Sequence, residues 1–232
     1  MSGINRIQQK MENFRDGKFG GPSRSDKPEI WFKDGDQVFV TSAATGDEND
    51  TLLDEIYLYT FEHNGRWVNV LKDDRVDTSN IPEKDAQGKE IRPSHKFVFW
   101  GYVHHVIHSE KKQDDWEEIA GPGGRKLFKE TVNDFKVIPM AFGRGDYVWN
   151  QLVDAYSDWG SLSKGVLKIK RTGTGQFDTS YTITATPKKD EIPEDRLKEV
   201  AGLKPIKDYY FETYGEKFEI QESSSGGNDS LF

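Results

Sequence analysis

The chain has 232 residues with 32 Lys/Arg against 40 Asp/Glu, a formal net charge of −8, and 34% hydrophobic and 31% charged residues. That length favours one large domain with appendages, and a mean hydropathy of −0.80 without any apolar run near the ~18 residues of a spanning helix excludes a helical membrane protein. Zero cysteines exclude disulfides, thiol catalysis and cysteine-held zinc or iron–sulfur sites, leaving oxygen and the imidazoles of 5 histidines as possible metal ligands.

Ile4, Ile7, Met11 and Phe14 recur at helical spacing with Arg6, Lys10 and Arg15 between them, which predicts a short basic amphipathic helix. Met1–Lys10 lacks the apolar stretch of a secretory signal, so a cytosolic protein is expected. Gly17–Pro28 reads as a linker, and compact structure is expected from Glu29. Trp31–Asp36 predicts a turn before a strand at Gln37–Thr41. Ile56–His63 and Arg66–Lys72 are two β-rich runs joined at Asn64-Gly65, the signature of a hairpin with a type I′ turn. Asp73–Ser94 follows as a long polar excursion.

Lys96–His108 predicts a long strand with Phe97, Phe99, Val103 and Ile107 on one parity and Trp100, Tyr102 and His104 on the other. Glu110–Arg125 reads as an exposed loop, Leu127–Met140 as a further long strand, and Val148, Leu152, Ala155 and Tyr156 as about three turns of helix ended by Gly160. Leu167 and Ile169 alternate with Lys168 and Lys170, and Tyr181 and Ile183 with Thr182 and Thr184, across a turn at Gly173 and Gly175. Leu197, Val200 and Ala201 after Pro193 predict a short helix, Tyr209–Ile220 fits helix or strand, and Glu222–Ser230 reads as disordered. The expected fold is mainly β, an OB-fold-like small β-barrel with long loop insertions and a few short helices. Its organisation reads as a basic segment and linker over 1–28, a core over 29–220 and a flexible acidic tail over 221–232.

Charge is unevenly distributed. Residues 1–33 hold seven Lys/Arg against four Asp/Glu and residues 125–172 nine against five, whereas residues 34–124 hold nine against nineteen. Such acidity argues against a general nucleic-acid coat but leaves room for a basic groove on an acidic body. His104, His105 and His108 lie near Asp114, Asp115 and Glu117 in sequence, yet strand alternation puts His104 and His108 on one face and His105 on the other, so no metal site is expected. Walker A, G-x-S-x-G and strand-to-helix G-x-G-x-x-G patterns are absent, and no catalytic residue or cofactor is assigned.

Aromatic residues, 12% of the chain, interleave with cations on the predicted strands: Tyr57, Tyr59 and Phe61; Arg66 and Trp67; Lys96, Trp100, Tyr102 and His104; Lys168, Lys170 and Arg171. Single-stranded nucleic acid demands that pairing, because bases stack on rings while cations follow the phosphates. Phe97 and Phe99 read as core; Trp100 and Tyr102 fit either core or platform, and the lysine stripe either a contact or a solvated strand face.

Gly165–Pro187, GVLKIKRTGTGQFDTSYTITATP, resembles the strand–turn–strand of tailed-bacteriophage single-stranded-DNA-binding proteins of the helix-destabilising type. Trp31–Asp36 before a strand, and His63 at the end of an aromatic strand, are similar to the same family's opening. The resemblance implies an OB-fold core acting without strong sequence preference in DNA replication, recombination or repair, in the host bacterial cytoplasm, and adds Tyr181 to the nucleic-acid-binding set. It further implies cooperative self-association through the basic segment (Arg6, Lys10, Arg15) and recruitment of replication or recombination proteins by an acidic tip ending Asp229-Ser230-Leu231-Phe232. Better-known members carry a cysteine-containing zinc element, which this chain cannot build. The alternative reading is a non-enzymatic protein-interaction or virion-associated β module, its aromatics buried against a protein partner.

Overall fold

Strand β4 (Ser94–His108) carries large apolar side chains on both faces, so the chain must cover it from two sides. A computed structural model describes residues 28–111, 113–141, 147–174, 179–186, 192–216 and 218, apart from the side chain of Tyr147. Along one edge of β4 runs β6 (Lys126–Ala141), antiparallel from Lys96↔Ala141 to His108↔Phe128. The other edge is shared: β2 (Leu53–His63) pairs with Ser94–Phe99, and β1 (Gln37–Ser42) pairs with Gly101–Ile107. Strand β3 (Arg66–Leu71) extends the β2 wing, while β7 (Val166–Thr172) and β8 (Ser180–Thr186) extend the β1 wing. A short β5 (Glu117–Ala120) pairs with the start of β6, inside the stretch the sequence reads as loop.

The protein is therefore mainly β, with an antiparallel sheet of eight strands. The expectation of a small barrel is corrected: the sheet does not close, its path ending in β3 on one wing and β8 on the other with no pairing between them among the described residues, although the arrangement remains compatible with an OB-like fold. The β2–β3 hairpin turns at Asn64-Gly65, both at positive φ, as its sequence requires.

Two cores flank the β4–β6 ribbon. On the first face, Phe97, Phe99, Val103, Val106, Ile138 and Met140 join Val38, Val40, Leu167 and Ile169, capped by Val148, Leu152 and Ala155 of α1 (Tyr147–Trp159). Gly160, at positive φ, ends α1 where its pattern stops, its N–H donating to Tyr156 O. Gln151 of this helix closes the outer edge of β8, accepting from Ile183 N at 2.6 Å and donating to Tyr181 O at 3.2 Å. On the second face, Val98, Trp100, Tyr102, Phe135 and Val137 pack beneath Ile206 and Tyr210 of α3 (Ile206–Tyr214), which follows α2 (Glu194–Val200). Tyr209–Tyr214 is thus helix, deciding an ambiguous stretch. No helix among the described residues is long and apolar enough to cross a membrane.

Gly101 lies where the edge of β4 passes from β2 to β1, opposite Ser42 and Lys136. A Cβ there would fall well inside van der Waals contact with Val40 Cγ2 and 3.3 Å from Thr41 O. Gly101→Ala should lower the free energy of unfolding by about 1–3 kcal/mol through overpacking, read as a lower urea midpoint with an unchanged m-value.

Candidate nucleic-acid interface

The β4–β1 and β4–β6 registers both slip near Val103–His105, a bulge that reverses the side-chain alternation. Val106 joins the first core and His108 is buried, while His104 meets Thr41 and His105 meets Phe39 on the opposite face. The face assignment made from simple alternation is thereby corrected: His104 and His105 share a face and His108 turns away. Ile107 moves with them, off the face of Phe97 and Phe99. Among the described residues no three His, Asp or Glu side chains are grouped to hold a metal ion.

Beyond the bulge the second face is no longer covered by α3, and register aligns its side chains into rows. Thr184, Lys168, Phe39, His105 and Thr131 form one row across β8, β7, β1, β4 and β6. Thr182, Lys170, Gln37, Ile107 and Lys129 form the next. The Phe39 and His105 rings stack with centroids 4.3 Å apart and planes 19° apart, and Lys168 Nζ lies 5.6 Å from the Phe39 centroid. Both rings are half-buried, as is Lys168; Lys170, Thr131, Thr182 and Thr184 are exposed. His104 Nε2 sits 2.9 Å from Thr41 Oγ1 at the margin. Within the described residues Lys129, Lys168 and Lys170 form no salt bridge, leaving their charge available to an anionic ligand. Arg196 of α2 bounds the face, its guanidinium 5.6 Å from the Tyr102 ring and bonded to Asp134 at 2.8 Å.

Of the sequence-predicted contact residues, this face gathers Lys168, Lys170 and His104. Trp100 and Tyr102 are only 7% and 3% exposed and serve the second core. Trp100 Nε1 donates to Lys204 O at 2.9 Å, and the Tyr102 ring meets Phe135 edge-on at 5.4 Å. The platform reading of both is corrected, because β4 has no solvent face along this half. Arg171 is a brace: Nη1 donates to Phe32 O at 2.5 Å and Nη2 to Thr179 Oγ1 at 3.2 Å. Tyr181 is half-buried with its ring edge-on to Phe32, and burial raises its phenol pKa. Lys96 lies on the second-core face with Nζ 5.3 Å from the Trp31 centroid; desolvation lowers its pKa against the opposing charge of Glu29. Tyr59 packs partly against the second core.

Tyr57, Arg66 and Trp67 belong to the β2–β3 wing. Tyr57 stacks on His95, centroids 4.4 Å and planes 7° apart, and borders a cleft of about 580 Å³ with Phe97 and Trp149. This cleft is acidic, lined by Asp54, Glu55, Asp73 and Asp74, and three of these carboxylates are paired: Asp54 with Lys207, Glu55 with His95 and Asp73 with Arg75, whose hydrogen bond holds Asp73 below the usual carboxylate pKa. It is poorly suited to phosphate. Trp67, 72% exposed, stands beside Arg66 at the hairpin tip, remote in the sheet order from β7. Arg6, Lys10, Arg15, Asp229, Leu231 and Phe232 lie outside the described residues.

Phe39 and His105 are absent from the sequence-predicted set. Phe39 had a signal: Val38 and Val40 face inward, so the ring between them must point out. His105 had none, since a bulge leaves no mark in the alternation of this strand. No protein-family model matches the chain, and no curated protein sequence matches it.

Because Phe39 lies on the outer face, Phe39→Ala should cost less than about 1.5 kcal/mol, the scale of a single aromatic pair. Leu167→Ala, in the first core, should cost about 2–5 kcal/mol. Guanidinium unfolding of both variants would check the assignment; equal losses would place Phe39 in the core.

Proposed function

We propose that the outer face of β7, β1, β4 and β6 binds single-stranded DNA without strong sequence preference, and that the protein acts non-enzymatically in phage DNA replication, recombination or repair. One observation carries the reading: a stacked Phe39–His105 pair flanked on the neighbouring strand β7 by Lys168 and Lys170, which the described residues leave without carboxylate partners. Bases stack on such rings with about 1–3 kcal/mol each, and lysines follow the backbone whatever its sequence. The resemblance of Gly165–Pro187 to helix-destabilising proteins supports the same reading, since that segment contains β7 and its lysines. Under it, Arg6, Lys10 and Arg15 serve cooperative self-association and Asp229, Leu231 and Phe232 recruit partner proteins. A protein-interaction module is the second reading, and its supporting observation is Trp67, a large exposed ring on a different wing from the lysine row.

A fluorescence titration with oligo-dT at two salt concentrations, with duplex as competitor, separates the two. Salt-sensitive binding selective for the single strand is expected. Lys168→Ala with Lys170→Ala should flatten the slope of log K against log salt by about 0.7 for each phosphate that is no longer neutralised. Phe39→Ala should weaken binding by about 5- to 150-fold, equivalent to about 1–3 kcal/mol, with little change in that slope. Absence of binding at low salt would discard this reading for the interaction module.

A further inference from the structure

Outside the proposed interface, His108 at the end of β4 is held between two carboxylates. Asp36 Oδ1 lies 3.2 Å from Nδ1, and Glu130 Oε2 lies 2.9 Å from Nε2. An ionised carboxylate only accepts, and neutral imidazole has only one N–H to give, so a ring bonded in this way carries two protons. Trp116, from the connection between β4 and β5, lies flat on it with centroids 4.0 Å and planes 7° apart, the geometry in which an aromatic face favours a cation. His108 and Trp116 are each 7% exposed and Asp36 is 3% exposed. The groups facing the ring come from four places: Asp36 from the turn before β1, Glu130 from β6, Trp116 and Gln113 from the β4–β5 connection, and Glu29 with Trp31 across a small adjoining cavity of about 60 Å³. Within the described residues no lysine or arginine side chain pairs with Asp36 or Glu130, so His108 is their counter-cation.

We propose that this cluster is a proton-operated latch: doubly protonated His108 holds Trp116 and the β4–β5 connection against the end of β4, and loss of one proton to solvent releases them. Deprotonation leaves one carboxylate, buried Asp36 or partly exposed Glu130, facing a nitrogen that no longer donates and removes the positive charge opposite both, and an uncompensated charge at buried Asp36 is strongly destabilising. Asp36 is fixed by its own turn, accepting from Lys33 N at 2.8 Å, and Glu130 by its strand. The Trp116 connection, held here by ring stacking, is the part free to move. Burial pushes the imidazole pKa down, but the hydrogen bonds and charges of Asp36 and Glu130 outweigh it, so the folded-state pKa is raised. The stabilisation is therefore complete below the unfolded value of about 6.5 and lost as pH rises through the raised folded value. His108, Glu130 and Trp116 immediately adjoin Ile107, Lys129 and Glu117, so release would loosen the β5 end of the outer face, whatever that face binds.

The test is fluorine NMR of the full chain labelled with 5-fluorotryptophan, titrated from about pH 6 to 9 around the histidine range, with the Trp116 resonance assigned by Trp116→Phe. The Trp116 signal should move through one titration with a midpoint above about 6.5, and hydrogen exchange over residues 113–120, corrected for intrinsic rates, should lose protection through the same midpoint. In His108→Gln neither should titrate, while the other five tryptophan signals report that the variant is folded. Should that variant fail to fold, Glu130→Gln, at a position 36% exposed, should shift the midpoint downward. A wild-type Trp116 signal or local protection that stays constant over the range, titration persisting in His108→Gln, or an unmoved midpoint in Glu130→Gln would each overturn the latch.

Discussion

A single strand that must be buried on both faces governs the architecture. In β4, Phe97 and Phe99 point one way and Val98, Trp100 and Tyr102 the other, all buried. Each such side chain returns about 1.5–3 kcal/mol when removed from water, so both faces need cover and both edges need partners. The β4–β6 ribbon, two wings on the far edge, α1 beneath one face and α3 above the other all answer that requirement. An open, divided sheet is the outcome because no one partner strand is long enough to pair with the whole far edge.

The same face of β4 changes role along its length. Near Trp100 and Tyr102 it is core, covered by α3; past the bulge at Val103–His105 it carries His104, His105 and Ile107, which the described residues leave half-buried. Arg196, poised over Tyr102 and Phe135, marks the border. A stacked aromatic pair and lysines that the described residues leave unpaired thus lie on one face of a chain whose net charge is acidic. A net charge of −8 is no obstacle to a phosphate-binding face when negative charge concentrates elsewhere, as it does around the paired carboxylates of the Tyr57 cleft. At the same end of β4 but on its other face, the Asp36–His108–Glu130 cluster joins the turn before β1, β6 and the approach to β5 around one largely buried ionisable ring.

Much of the secondary structure was legible because it rests on local rules. Asn64-Gly65 demanded a hairpin, the spacing of Val148, Leu152 and Ala155 a helix ended by Gly160, and the Leu167/Lys168/Ile169/Lys170 alternation a strand with a basic outer face. Strand β5 was not legible: Glu117–Ala120 has no periodicity of its own and becomes a strand by pairing with β6. The candidate site was legible in part, through Lys168, Lys170 and His104. Trp100 and Tyr102 misled because side-chain parity says which residues share a face and nothing about whether a helix far along the chain will cover it.

By itself, then, the amino-acid sequence determined a mainly β chain, its hairpins and the basic character of β7, since backbone preference and alternation act between near neighbours. Only the tertiary structure decided that the sheet stays open, that α3 seals one half of the second face of β4 and stops short of the other, and that a one-residue bulge turns His105 toward Phe39 and His108 toward Asp36 and Glu130. Those outcomes join residues far apart in the chain, 63 positions for Thr41 and His104, 72 for Asp36 and His108 and 104 for Trp100 and Lys204, and their energies are set by packing and register across the whole sheet rather than by any local pattern.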